Sequence, residues 1–338
     1  MDNPIDVTVV LLAGGWVSTS LGPIEVLHAA GRLWNGLQGE PAQPRFRVRT
    51  ASVDGRAVPC AYGVSLMPQC RVADVARTDL VVVGAPGPEL LDSGAYDPLL
   101  IDWLRAMRRG GAQIAGVCSG VAYLAAAGLL DGRRATTHWA IATLLKQRYP
   151  LVRWQPERFV TEDHGLYCGG GVYSSIDLSL YLVEKLCGRS VALEAARALL
   201  VSMPRTSQAS YDTVPISRPH EDERIRQVED ILQHKQREGM TVEALAQQVG
   251  MSPRTLARRF KAATGQLPGA YLQHLRIARA RELLEAGALP IRSVASSVGY
   301  DDLPHFRQVF KRLCGVTPAD YRRRFGPIAV APARLRAS

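Results

Sequence analysis

At 338 residues the chain is longer than one typical domain and suits two. An apolar content of 47% beside 21% charged residues is that of a folded globular protein, which excludes a disordered or fibrous chain. The net charge of +10 is uneven, with +1 in residues 1–217 and +9 in residues 218–338, so a nucleic-acid partner belongs to the C-terminal part. The six cysteines (Cys60, Cys70, Cys118, Cys168, Cys187, Cys314) form no Cys-x-x-Cys pair and no cluster with histidine. Reduced thiols are therefore expected, with no disulfide framework, metal or cofactor. The N-terminus is acidic and the apolar run Val7–Ala13 is too short for a signal core or a span, which predicts a cytoplasmic protein with no membrane partner.

In chain order, Val7–Leu12 is an unbroken apolar run ending at Gly14-Gly15, followed by a helix starting near Gly22-Pro23. Further strands are predicted at Phe46–Ala51, Leu80–Val83 and Ile114–Val117, and helices at Leu99–Arg109 and Val121–Ala127. Fully apolar strands alternating with helices predict a doubly wound α/β domain, with its ligand site at the carboxyl ends of the strands. Gly116-Val117-Cys118-Ser119-Gly120 passes directly from strand to helix, which predicts a strained elbow exposing the thiol and a helix N-terminus that lowers its pKa. His138 follows twenty residues on. Phe159–Thr161 and Leu166–Cys168 read as an antiparallel pair around a turn holding His164, and Gly169-Gly170-Gly171 leads into another helix. That glycine run is either a plain connection or an anion site. Trp16, Trp139 and Tyr173 are either core residues or an aromatic wall for an amine or quaternary ammonium group. A helix at Val191–Met203 closes this domain, and a linker rich in Ser, Thr and Pro begins at Pro204.

The C-terminal part contains one device written twice. Ala246, Val249, Gly250, Phe260, Lys261, Gly265, Pro268 and Tyr271 recur as Ala295, Val298, Gly299, Phe310, Lys311, Gly315, Pro318 and Tyr321. The offset is 49 up to the turn glycine and 50 after it, so one residue is inserted just past the turn. Each copy reads as a helix-turn-helix: Thr241 and Ser252 cap the helices of the first, and Asp301 caps the second helix of the second. A helix over Glu221–Glu238 precedes them and one over Ala270–Ala286 joins them, with Arg276 expected to be buried and paired. Arg254 and Arg258 lie one turn apart as candidate base readers, assisted by Thr255, while Arg259 and Lys261 suit phosphates. In the second copy His305 and Gln308 are the candidate readers, with Leu303 against thymine methyls, and Arg307 and Lys311 supply charge. With Leu303-Pro304 standing near its helix start, the second motif is expected to discriminate less sharply.

These motifs closely resemble the DNA-binding domain of the AraC/XylS transcription regulators, from about Glu221 to Phe325 and including the closing Gly315-Val316-Thr317-Pro318-Ala319-Asp320-Tyr321-Arg322. Cys118, the stretch Leu129–Trp139 and Gly22-Pro23-Ile24-Glu25-Val26-Leu27 resemble the PfpI-like, class I glutamine-amidotransferase-like superfamily over roughly residues 5–190. The combination is that of the GlxA subgroup of AraC regulators. The resemblance implies a flavodoxin-like α/β domain (5–203) that senses a ligand and dimerises, a linker (204–220), an all-α tandem helix-turn-helix domain (221–325) and a disordered tail (326–338). It further implies a homodimer formed through the N-terminal domain, a small-molecule effector of amine or amino-acid type, RNA polymerase as a partner, and promoter DNA bound in two adjacent major grooves per protomer. Enzymes of the superfamily place a glutamate where this chain has Thr19, flanked by Ser18 and Ser20, while Glu25 lies well along the helix. No catalytic residue is therefore assigned. Cys118, His138 and Thr19 are read as vestigial or pocket-lining, and the candidate ligand site is Trp16, Ser18, Thr19, Cys118, Ser119, His138 and Gly170. A thiol hydrolase or glyoxalase fused to a DNA-binding domain is the alternative, and a purely packing role for Cys118 also stays open.

Overall fold

The apolar stretches Val7–Val10, Leu80–Val83 and Ile114–Val117 leave almost no polar face to turn toward water, so the sheet they form has to be covered on both sides. In the computed structural model, which describes residues 3–203, 205, 207–211, 220–234 and 241–327, this is how the first unit is built. The chain divides into two compact units, residues 1–208 and 209–338.

The strands of the first unit are β1 (Ile5–Val10), β2 (Phe46–Ser52), β3 (Val58–Pro59), β4 (Ser65–Leu66), β5 (Cys70–Arg71), β6 (Leu80–Val83), β7 (Gln113–Val117), β8 (Arg134–Ala135), β9 (Arg153–Trp154), β10 (Val160–Asp163) and β11 (Leu166–Gly169). Seven of them form one sheet in the order β10-β11-β7-β6-β1-β2-β5, parallel except for the β10–β11 hairpin at one edge. The helices are α1 (Ser18–Ala29), α2 (Leu33–Leu37), α3 (Pro88–Ser93), α4 (Pro98–Arg109), α5 (Val121–Ala126), α6 (Trp139–Arg148), α7 (Ser174–Cys187) and α8 (Arg189–Ala198). Alternating strand residues serve two cores. Val7, Val9, Val82 and Val117 pack with Leu27, Leu178, Leu182 and Ala192 beneath α1, α7 and α8. Val10, Val81, Val83 and Ile114 pack with Leu100, Leu104, Val121 and Leu124 beneath α4 and α5.

Two boundaries and one helix differ from the sequence reading. The first helix starts at Ser18, ahead of Gly22-Pro23, because the carbonyls of Trp16 and Val17 already accept from the amides of Thr19, Ser20 and Leu21; Pro23 falls inside the helix. The helix expected over Val191–Met203 stops at Ala198, and Leu200 takes a left-handed φ of 54°. Helix α6 was not foreseen.

The second unit contains α9 (Glu223–His234), α10 (Val242–Gln248), α11 (Pro253–Thr264), α12 (Pro268–Ala286), α13 (Ile291–Ser297), α14 (Leu303–Cys314) and α15 (Pro318–Phe325). The repeat is visible in its turns: Gly250 (φ 62°) and Gly299 (φ 81°) join the paired helices, and Gly265 and Gly315 end the second helix of each pair in the left-handed region. Leu245, Ala246, Leu256, Phe260 and Tyr271 form one core with Ile225, Val228 and Leu232 of α9. Val294, Ala295, Phe306, Phe310 and Tyr321 form the other. Helix α12 serves both, giving Tyr271 and Leu275 to the first and Ile277, Ala280 and Leu284 to the second. Among the described residues no helix is long and apolar enough to cross a membrane. The expected linker falls partly, and the expected disordered tail almost wholly, outside the described residues, as does the end of the helix predicted to reach Glu238.

Candidate functional sites: a cysteine elbow and a basic helix pair

The sharp strand-to-helix turn forms, but it buries the thiol that the sequence reading expected it to expose. Cys118 takes a φ of 54°, a left-handed conformation rare for a residue with a Cβ. Gly120 makes the turn possible, since a Cβ there would lie 2.5 Å from the carbonyl oxygens of both Val83 and Gly84. The Thr137 hydroxyl donates to the Cys118 carbonyl (2.9 Å), and the Ser119 hydroxyl donates to the Pro86 carbonyl (3.2 Å). Thr19 staples the same loop: its hydroxyl donates to the Trp16 carbonyl (2.7 Å) and accepts from the Ala85 amide (3.0 Å).

The electrostatics of the elbow run against the expected activated thiol. Cys118 is 9% exposed, and burial pushes its pKa up to about 11, against weaker lowering by the backbone and hydroxyl of Ser119. No charged side chain contributes. The helix that follows is a single 3-10 turn and then only six α-helical residues, too short for a strong dipole. His138 does not pair with the thiol. Its Nδ1 accepts from the Ala140 amide (3.1 Å) and caps α6, and burial lowers its pKa, so at neutral pH it brings no positive charge.

The other proposed pocket residues are scattered in accessibility. Trp16 is half exposed and packs edge-on against Tyr62 (5.3 Å between ring centroids), Trp139 lies against His138 (5.2 Å), and Tyr173 is exposed. The three aromatic residues do not pack on one another as a wall. Ser18 is partly buried, its carbonyl accepting from Ser175. Thr19 and Ser119 are buried, and Gly170 is buried with the Gln208 amide directly over its Cα. Glu25 points outward on α1, away from the elbow. Sequence reasoning missed a neighbouring cleft of about 830 Å3 at the carboxyl ends of β1 and β2 and the loops after β6. Asp54, Glu89, Asp97, Tyr96 and Tyr123 line it, with no Lys, Arg or His.

In the second unit, Arg254, Arg258 and Lys261 are exposed on α11 opposite the buried Leu256 and Phe260. Thr255 is partly engaged in the cap, receiving from the Ser252 hydroxyl (2.9 Å) while its amide donates back (3.2 Å). Arg259 differs from Arg254, Arg258 and Lys261 in being half-buried. Its guanidinium grips both oxygens of Asp222 (2.7 and 3.0 Å), which ties α11 to the chain entering α9, so it is already paired within the protein. On α14, Arg307, Gln308 and Lys311 are exposed, and His305 is exposed with its ring beside Tyr300 (5.7 Å). The cap is Asp302, one residue later than expected, because Tyr300 already bonds back to Ala295 as Met251 does to Ala246, leaving Asp301 as the inserted residue. Leu303, the residue expected against thymine methyls, is half-buried and packs on the second core. Arg276 is half-buried over the Tyr300 ring (5.4 Å).

Comparison with known proteins agrees with both halves. Residues 245–324 match the helix-turn-helix domain family and residues 20–185 match the DJ-1/PfpI family. The chain is 26% identical to the HTH-type transcriptional regulator GbdR of Pseudomonas aeruginosa over 95% of this chain and 84% of that one. It is 31% identical to the HTH-type transcriptional regulator GlxA of Rhizobium meliloti over 82% of each chain. Its first half is 32% identical to an isonitrile hydratase of Pseudomonas putida, over 51% of this chain and 74% of that one. The fold of the first unit is that of Drosophila melanogaster DJ-1β, with a TM-score of 0.50 and 24% identity over 59% of this chain and all of that one. With a DJ-1/PfpI unit joined to a tandem helix-turn-helix and a GlxA-like sequence along most of its length, the chain belongs to the AraC-family transcription regulators that carry a PfpI-like domain.

Proposed function

We propose that the protein reads promoter DNA with α11 and α14 and adjusts that binding to a small molecule held by the first unit. The observation that carries this reading is the exposed basic face of α11 set on a tandem helix-turn-helix core. Arg254 and Arg258 point away from that core one turn apart, the geometry with which guanidinium groups reach guanine O6 and N7. Lys261, Arg307 and Lys311 then hold phosphates, and His305 and Gln308 read the second half-site. The rigid α12 sets the two reading helices into successive major grooves, about 34 Å apart. Homodimerisation through the first unit and contact with RNA polymerase complete the proposal. Duplexes selected from a random pool should outcompete bulk DNA by at least about a thousandfold at physiological salt. Competition that depends on salt but hardly on sequence would make the protein a general DNA-compacting one.

The effector belongs at the carboxyl ends of the parallel strands, where the elbow and the acidic cleft lie. Carboxylates of Asp54, Glu89 and Asp97 with no basic residue among them support a cationic effector, in keeping with an amine or amino-acid derivative. Aliphatic amines and quaternary ammonium compounds should raise the melting temperature of the whole chain, by the equivalent of about 2.7 kcal/mol at a hundred times Kd. Stabilisation by carboxylates alone would reverse the assigned charge.

An enzymatic second reading draws support from the isonitrile hydratase relative. The raised thiol pKa and the neutral, separately engaged His138 argue against it. Iodoacetamide labelling of Cys118, followed on its own peptide, should climb about tenfold per pH unit from 7 to 10 as the thiolate fraction grows. A plateau already below pH 8, together with turnover of isonitriles, would establish an activated nucleophile.

A further inference from the structure

The last residues of the first unit, immediately ahead of the DNA-binding unit in sequence, are threaded back onto the elbow. Arg205 is the first anchor. Its amide donates to Asp177 Oδ1 (2.7 Å), its guanidinium donates to Asp177 Oδ2 (2.7 Å), and its Cζ sits 4.2 Å from the centre of the Phe159 ring. Ser207 forms an antiparallel bridge with Arg158, and the Gln208 amide donates to the Glu157 carbonyl (2.8 Å).

Gln208 is the second anchor, and it is unlike the usual polar residue of a linker. It is 2% exposed, and its Nε2 donates to the carbonyls of Thr137 (2.7 Å) and Arg158 (3.1 Å). Thr137 is the residue whose hydroxyl holds the Cys118 carbonyl, and His138 is next in sequence. From the other side Gly170 admits the amide only because it lacks a side chain: a Cβ there would lie 2.6 Å from Gln208 Oε1. A Cβ at Gly171 would in turn lie 3.3 Å from His138 Cδ2. The elbow, the His138 segment, the glycine turn after β11 and the start of the interdomain connection therefore meet at one buried carboxamide.

We propose that Gln208 is the coupling residue through which occupation of the elbow is passed to the connection leading to the DNA-binding unit. A molecule that shifts Cys118 or His138 moves Thr137, and with it the carbonyl that holds Gln208; release of Gln208 frees the connection. By reciprocity, release of Gln208 from the other end loosens the elbow. This rests on the reading that the elbow region takes the effector. The coupling itself is measured without any effector, so its failure is distinct from a failure to find a ligand.

The test compares Gln208→Ala, Gly170→Ala and Arg205→Met in the full chain. Two readouts are taken: hydrogen exchange of the peptide spanning residues 205–211 and the iodoacetamide rate of Cys118 on its own peptide. Gln208→Ala should speed exchange in the connection roughly tenfold, the factor expected for one lost hydrogen bond of ordinary strength, and should raise the Cys118 rate several-fold. Gly170→Ala, whose new methyl would lie 2.6–2.9 Å from the Gln208 carboxamide, should do the same from the opposite side. It also carries the test if Gln208→Ala shows no cooperative thermal transition. Arg205→Met should speed exchange in the connection while leaving Cys118 at its original rate, since Asp177 does not touch the elbow segment in this hydrogen-bond chain. An unchanged Cys118 rate in both Gln208→Ala and Gly170→Ala would overturn the coupling, as would an equal rise in Arg205→Met, which would signal general loosening.

Discussion

Replacing Arg254 by alanine should weaken binding to the selected operator by about 1–3 kcal/mol, roughly tenfold to a hundredfold, and should relax the preference for guanine at one position. The residue is exposed at the start of α11 and its guanidinium makes no intramolecular hydrogen bond or ion pair among the described residues, so stability should not change. Arg258→Ala should behave in the same way one step along the groove. Lys261→Ala should instead lower affinity evenly across sequences and reduce the salt dependence by about one phosphate. Arg259→Ala is the informative contrast. It breaks the Asp222 pair between α11 and the start of α9, so it should lower the melting temperature while leaving base preference intact. Base substitutions in the half-site facing α14 should cost less than those facing α11, because α14 opens with Leu303 and Pro304 where α11 has Arg254. Operator titrations with each variant decide the matter. An Arg254→Ala protein that keeps its guanine preference would remove this residue from the reading set.

The largest effect on stability should come from Phe310→Ala, about 3–5 kcal/mol. Phe310 is fully buried, lies edge-on to Tyr321 (5.4 Å) and tilts against Phe306 (5.7 Å). The void left by the ring is walled by α12, α13 and α15, which are tied together by Tyr321 donating to Glu285 (2.6 Å) and Arg322 donating to the Leu289 carbonyl (2.6 Å), so collapse into it is restricted. Urea titration followed by circular dichroism should show the helical transition moving to lower denaturant with little change in its slope. A loss below about 1 kcal/mol would mean that the second core repacks freely.

The scaffold was legible wherever one physical cause acted alone. Apolar runs gave β1, β6 and β7 to within a residue or two, since burial on both faces leaves a continuous hydrophobic signal, and β2 was located as closely although Arg47 and Arg49 interrupt it. The tandem motif was legible because turn glycines and small alanines recur at fixed offsets. What escaped was set by contacts between residues far apart in sequence. Helix α6 has only a weak apolar stripe and starts from a histidine, an uncommon cap, so nothing local announces it. The elbow's shape could be read from Gly116 and Gly120, but the state of its thiol could not. That depends on how deeply the fold buries Cys118 and on His138 being spent on α6. Gln208 looked like linker composition, and only the tertiary fold shows its carboxamide bonded at the backbone of Thr137.

Helix α12 has a consequence for how the DNA-binding unit comes apart. It is at once the last wall of the first core and the first wall of the second, with no break in its hydrogen-bonded ladder between Tyr271 and Leu284. Two motifs descended from one plan are thus not two independently melting modules. A defect placed in either should reach the other through the shared helix. In Phe310→Ala, amide protection along α11, about fifty residues away in sequence, should fall together with that of α14, so the unit opens as a single cooperative body.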